Sequence, residues 1–295
     1  MKQIIFTGSA VAIITPMHAD GNVNYPVLAE LLELQIAHGT DAIVICGTTG
    51  EASALDDTEH LAVIEFAVKT VHHRLPVIAG SGGNDTRHAV NLSRGAVARG
   101  ADALLLVTPY YNKTNQSGLI SHFNTIVDAA GVPCILYNVP SRTGMTIQPA
   151  TYKELAKHEL IVATKEASGN LSAIAQTAAL CGDELSLYSG NDDQILPLLS
   201  LGGIGVISVL ANVAPQQTHD ICALYLAGRH KESLALQLGL MDVIDALFCD
   251  VNPIPVKEAM NVLGYAAGPC RMPLGSLSPE AKSKLNTALK AAKLL

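Results

Sequence analysis

The chain has no tryptophan, and aromatic residues make up only 4% of its 295 positions. That composition disfavours a protein built on aromatic-rich recognition surfaces. Charge is sparse too: Asp, Glu, Lys and Arg together reach 15%, the net charge is -7, and no Lys/Arg cluster occurs. This balance argues against a nucleic-acid surface and for ordinary solubility. No run approaches the ~20 apolar residues that a membrane helix needs. The longest uncharged apolar stretch, 201–215, is short and carries several glycines. The six cysteines include no Cys-x-x-Cys, and several lie in apolar segments, which reads as reduced thiols of a cytoplasmic protein. Ten histidines include no His-Glu-x-x-His, so no metal site is expected, and His72 with His73 reads as a helix end. The apolar segment 4–17 lacks a basic stretch before it and a cleavage site after it. It reads as a strand rather than a secretory signal.

Apolar residues, by contrast, fill 49% of the chain. That suits one large domain, or one domain with a smaller appendage, and burial between subunits as well as in the core. Short apolar runs at 10–14, 41–46, 76–79, 102–107, 133–137, 160–165, 185–188 and 204–209 read as strands. Helical patterns at 25–38, 57–72, 86–99, 117–130, 149–157, 173–181 and 194–200 separate them. Strand–helix alternation predicts a parallel sheet with right-handed crossovers, and eight units fit a closed α/β (β/α)8 TIM barrel. An open doubly wound sheet would carry a Gly-x-Gly-x-x-Gly turn after its first strand; Thr15, Pro16 and Met17 stand there instead. Beyond residue 211 only helices are predicted, at 215–227, 231–248, 254–263 and 279–294. The reading is a catalytic barrel at 1–224 and a C-terminal helical appendage at 225–295.

Active sites of such barrels lie at the C-terminal ends of the strands. The sixth strand runs through four apolar residues and Thr164 into Lys165, followed by the turn-forming Ser168, Gly169 and Asn170. Burial favours the neutral amine of a lysine, and a neutral amine attacks a carbonyl; the plain alternative is a lysine reaching out to solvent. Tyr137 ends the fifth strand and suits proton transfer beside an imine, or is a buried tyrosine with a satisfied hydroxyl. Thr48 and Thr49, in a glycine-flanked turn after the second strand, offer hydroxyls and N–H groups to a carboxylate, or form a plain tight turn. Arg142, past the fifth strand, offers a fork for a second carboxylate, or is a surface arginine. The seventh strand ends at Ser189, Gly190 and Asn191, and the eighth passes through Ile207. No histidine and no metal-type carboxylate cluster occurs at these strand ends. The set suits imine chemistry on a small oxo-acid. Lys257 also follows an apolar stretch, but in the helical appendage, and reads as structural.

Six motifs, GTTGE at 47–51, PYYNK at 109–113, YNVPSRTG at 137–144, KEASGN at 165–170, YSGNDD at 188–193 and GGIGVISVLANV at 202–213, carry a specific resemblance. The chain resembles the pyruvate-dependent, Schiff-base-forming aldolases of the N-acetylneuraminate lyase and dihydrodipicolinate synthase superfamily, and within it the dihydrodipicolinate synthase family. The resemblance implies condensation of pyruvate with L-aspartate 4-semialdehyde on the route to diaminopimelate and lysine, without metal or organic cofactor. It makes Lys165 the imine-forming lysine. Tyr137, Thr48 and Tyr111 become a proton relay, Tyr111 arriving from the neighbouring subunit of a tight dimer. Thr49 and the backbone of Ile207, with Gly190 nearby, hold pyruvate, and Arg142 recognises the semialdehyde's carboxylate. It further implies a homotetramer built as a dimer of tight dimers.

Lysine-inhibited members bind lysine at positions matching Ala52, Ser53, Asp57, His60, Asn84, His88 and Tyr110. His60, Asn84 and Tyr110 fit that pattern; Asp57 replaces a histidine and His88 a glutamate, so weak or absent inhibition is expected. A sibling aldolase acting on sialic acid or 2-keto-3-deoxy sugar acids is the alternative activity, and it lacks a match to Arg142. A catalytically silent barrel is the other alternative; it would be expected to have lost Lys165 or Tyr137.

Overall fold

A computed structural model describes residues 2–295. Eight parallel strands close into a barrel in chain order: β1 (Gly8–Ala12), β2 (Ala42–Ile45), β3 (Val77–Gly80), β4 (Ala103–Val107), β5 (Cys134–Asn138), β6 (Ile161–Glu166), β7 (Ser186–Ser189) and β8 (Gly205–Ser208). Around them run α1 (Tyr25–Ala37), α2 (Asp57–Val71), α3 (Thr86–Ala98), α4 (Gln116–Ala130), the one-turn α5 (Pro140–Thr143), α6 (Pro149–Leu155), α7 (Leu171–Cys181), α8 (Ile195–Ser200) and α9 (Pro215–Leu226). The appendage adds α10 (His230–Gly239), α11 (Met241–Leu247), α12 (Ile254–Val262) and α13 (Pro279–Ala291). The predicted (β/α)8 barrel with C-terminal helices is therefore the observed fold. Among the described residues no helix is long and apolar enough to cross a membrane.

Alternation along each strand divides the core in two. Ala10, Ala12, Ala42, Val44, Ile78, Ala103, Leu105, Ile135, Ala163 and Ile207 fill the barrel interior. Val11, Ile43, Ile45, Leu104, Leu106 and Leu136 face the helices. Small interior residues suit a narrow barrel, where bulk would force the strands apart. The seam between β1 and β8 is closed by Gly8 against Gly205, where an added Cβ on Gly205 would lie 2.0 Å from the Gly8 carbonyl oxygen. Phe6 stacks on Tyr188 inside the barrel with ring centroids 4.2 Å apart.

Beyond shifts of a residue or two, the elements differ from the sequence reading in two places. The first strand begins at Gly8 and ends at Ala12 rather than spanning 10–14, because the Ile14 N–H leaves the sheet to donate to Asn212 Oδ1. The helix predicted over 231–248 is two helices, α10 and α11, broken at Leu240 directly after Gly239. Glycine weakens a helix interior. The break also lets α10 pack on α9 while α11 packs on α13.

The appendage is fastened to the β2 loop by buried charge. Lys257 Nζ lies 2.6 Å from Glu51 Oε1, with side chains 2% and 0% exposed, and also donates to the Pro269 carbonyl. Glu51 Oε2 accepts the Arg271 N–H at 2.8 Å, and the Arg271 guanidinium binds Glu59 and the Gly21 carbonyl. A buried ion pair is weak evidence of net stability, but losing one partner strands a charge. The pair therefore fixes where the loop carrying Thr48 and Thr49 sits. Lys257, fully engaged here, is structural.

Candidate active site

Strand parity delivers the two central side chains. Two residues beyond inward-facing Ile135 and Ala163 come Tyr137 and Lys165, which are Cα partners across β5 and β6. Lys165 is 5% exposed, and its Nζ lies 4.3 Å from the centroid of the Tyr137 ring, within cation–π range. Room for it comes from Gly190: a Cβ there would lie 2.7 Å from Ala167 Cβ and 3.1 Å from Lys165 Cε. On the opposite face of β6, Glu166 accepts both Asn138 Nδ2 contacts, the Tyr152 hydroxyl and the Ser168 N–H. This carboxylate ties the ends of β5 and β6 together and so holds Tyr137 against Lys165. Sequence reasoning passed over Glu166; its place directly after the strand-end lysine is the one local signal.

Thr48 and Thr49 follow β2 in a turn that opens on Cys46 at φ 53° and closes on Glu51 at φ 55°. Thr49 is buried, and its Oγ1 accepts from Asn252 Nδ2 at 2.9 Å. Arg142 rides on α5, exposed, with Nη2 donating to the Asn252 carbonyl at 3.3 Å. Ile207 lies in β8, fully buried. The Asp192 carboxyl, also buried, accepts the N–H groups of Val209 and Leu210. Burial raises its pKa, partly offset by its hydrogen bonds and by the charge of Lys165.

A cavity of about 430 Å³ opens above this set, lined among others by Thr48, Tyr137, Arg142 and Thr143. The same cavity is lined by Ser53, Asp57, His60, His88 and Tyr110, so Thr48, Tyr137 and Arg142 share one space with most of the candidate effector residues, while Lys165 is not among its lining residues. Histidines thus do reach it, from α2 and α3 rather than from strand ends. The buried His60 Nε2 donates to the Gly80 carbonyl at 2.8 Å, and burial lowers its pKa. His88 Nε2 donates to Asp57 Oδ1 at 2.7 Å. Asn84 is half-buried nearby, its carbonyl accepting from Asn112 Nδ2.

Tyr111 stands apart. It is 92% exposed, at φ 67°, and does not line its own chain's cavity. One chain therefore brings Thr48 and Tyr137 to the cavity but not the third expected relay residue. All six cysteines are free, and burial pushes the Cys134 thiol up to about 12, which keeps it protonated and inert.

Residues 5–292 match the dihydrodipicolinate synthetase family. A relative from Caldicellulosiruptor saccharolyticus, 4-hydroxy-tetrahydrodipicolinate synthase, is 55% identical over 97% of this chain and 96% of its own. Among solved structures, the chloride-inhibited dihydrodipicolinate synthase of Acinetobacter baumannii complexed with pyruvate superposes with a TM-score of 0.97 at 41% identity, covering 99% of this chain and 100% of the other. The enzyme of Cyanidioschyzon merolae with lysine bound gives 0.96 at 37% identity, covering 99% and 100%. With the family matched over residues 5–292 and solved members superposing at TM-scores of 0.96–0.97, this chain belongs to the dihydrodipicolinate synthetase family.

Proposed function

We propose that the chain catalyses the reaction its relatives are named for, joining pyruvate to L-aspartate 4-semialdehyde. The observation that carries this reading is that buried Lys165 holds its amine 4.3 Å from the centroid of the Tyr137 ring. Lys165 Nζ attacks C2 of pyruvate and water leaves, forming an imine. The protonated imine draws electrons from C3, which loses a proton to give an enamine. The enamine carbon attacks the aldehyde, whose oxygen takes a proton, and the product's own amino group then adds to C2 and expels Lys165. Tyr137 and Thr48 carry the protons. The imine is itself the electron sink, so these steps need no metal or organic cofactor.

Thr49, with the Ile207 backbone and Gly190, holds the pyruvate carboxylate; Arg142 takes that of the semialdehyde in a fork. Tyr111 completes the relay from a neighbouring subunit, which accounts for its exposure here, and two such tight dimers form the tetramer. Arg142 decides the aldehyde. Initial rates with pyruvate are expected to favour L-aspartate 4-semialdehyde over sugar aldehydes by roughly 10²-fold, near the upper end of what a hydrogen bond to a charged group contributes, about 1.5–3 kcal/mol. Equal rates with a sugar aldehyde would overturn this choice in favour of a sibling aldolase.

Inhibition by lysine is proposed to be weak. A glutamate lost at position 88 removes a charge-assisted partner for the ligand's ammonium, typically about 1.5–3 kcal/mol, or roughly 10- to 150-fold in affinity. The remaining carboxylate nearby, Asp57, already accepts from His88 at 2.7 Å. Rate measured against lysine at saturating pyruvate is expected to stay near its starting value up to about 1 mM, a concentration that corresponds to only about 4 kcal/mol of binding. Half-inhibition well below that would show that Asp57 compensates.

A further inference from the structure

We infer that Asn252, on the loop between α11 and α12, is a positioning residue for both substrate carboxylates and acts through Thr49 and Arg142. The inference rests on the function proposed above and extends it to the helical appendage.

Asn252 is 5% exposed and touches both candidate carboxylate holders at once. Its Nδ2 donates to Thr49 Oγ1 at 2.9 Å, and its backbone carbonyl accepts from Arg142 Nη2 at 3.3 Å. A hydroxyl has one hydrogen to give and two lone pairs to receive with. With an N–H of Asn252 on one lone pair, the Thr49 hydrogen is not directed at Asn252 and remains for an incoming acceptor. A carboxylate is acceptor-only. The amide therefore sets the polarity of Thr49 in the sense that binding an anion requires.

The Arg142 contact works differently. An exposed arginine has many rotamers, and fixing them on binding lowers affinity. Anchoring one Nη to the Asn252 carbonyl restricts that freedom beforehand and leaves the other guanidinium N–H groups for the ligand. The second side-chain atom of Asn252 supports the reading. Oδ1 is buried with no partner among the described residues, which is unfavourable for a carbonyl oxygen. An apolar side chain of the same size would pack without that penalty, so the amide serves its N–H.

The test compares the unaltered chain with Asn252→Ala, Asn252→Asp, Thr49→Val and the Thr49→Val/Asn252→Ala pair, following KM for each substrate, kcat, and borohydride-trapped pyruvate. Asn252→Ala is expected to raise the pyruvate KM about 5- to 10-fold with kcat changed less than about 3-fold, the scale of one hydrogen bond. Asn252→Asp keeps the shape but accepts the Thr49 hydrogen and adds an anion, so the pyruvate KM is expected to rise more, by about 30-fold or beyond. This variant carries the test if the alanine variant fails to fold. In the Thr49→Val background, Asn252→Ala is expected to add less than about twofold, because the hydroxyl it orients is gone. Pyruvate KM values within about twofold of the parent in both Asn252 variants, or a full additive rise in the double variant, would overturn the inference. Absence of a pyruvate adduct in the unaltered chain would instead overturn the proposed function, and the inference with it.

Discussion

Lys165→Ala is expected to lose at least ~10³-fold in rate, and with it all trapping of pyruvate by borohydride, since no other group supplies the covalent step. Reduction of the unaltered chain with pyruvate is expected to add one irreversible adduct, mapped to the peptide containing Lys165. Lys257 is the informative control. It is also buried, but its Nζ is taken up by Glu51 Oε1 and the Pro269 carbonyl. Among the described residues no carboxylate lies within salt-bridge range of Lys165, which faces the Tyr137 ring instead. Labelling at Lys257, or full activity in Lys165→Ala, would remove the nucleophile from the mechanism.

Tyr137→Phe and Tyr111→Phe are each expected to slow the reaction by roughly 10²-fold or more, the scale of general acid–base catalysis. Neither change disturbs the barrel: Tyr111 is 92% exposed, and the Tyr137 ring survives as phenylalanine. Their combination tests where Tyr111 acts. If it serves the neighbouring subunit, a mixed dimer of the two single variants holds one site with both hydroxyls and one with neither. Mixing under conditions that exchange subunits is then expected to restore activity that neither variant has alone. Mixed dimers with no recovery would mean that Tyr111 acts within its own chain, and that the loop carrying it folds back over the cavity on binding substrate.

Several features of this chain were legible in order along the sequence. Apolar runs of strand length, each closed by small or polar residues, alternate with helical patterns, and a barrel brings every such closing residue to one face. Lys165, Tyr137, Thr48 and Thr49 were found this way because parity and strand ends are local properties. Arg142 was found as the one arginine near those ends, although its one-turn helix was not foreseen. The split of α10 from α11 was missed because glycine weakens a helix without saying whether neighbours will bridge it.

What the sequence by itself determined was the barrel and which side chains are the candidates for the chemistry, since both follow from periodicity and residue type. The tertiary structure alone decided how they are held. Asn252 meets Thr49 across 203 residues, Lys257 meets Glu51 across 206, Glu166 meets Asn138 across 28, and Asp57 meets His88 across 31. Such pairings depend on loops and an appendage whose paths carry no periodic signal. A hydrogen bond records only where two atoms finish, and that is settled by packing of the whole chain. The outward placement of Tyr111 belongs to the same class: a positive φ at one loop residue turns its side chain away from the cavity of its own chain.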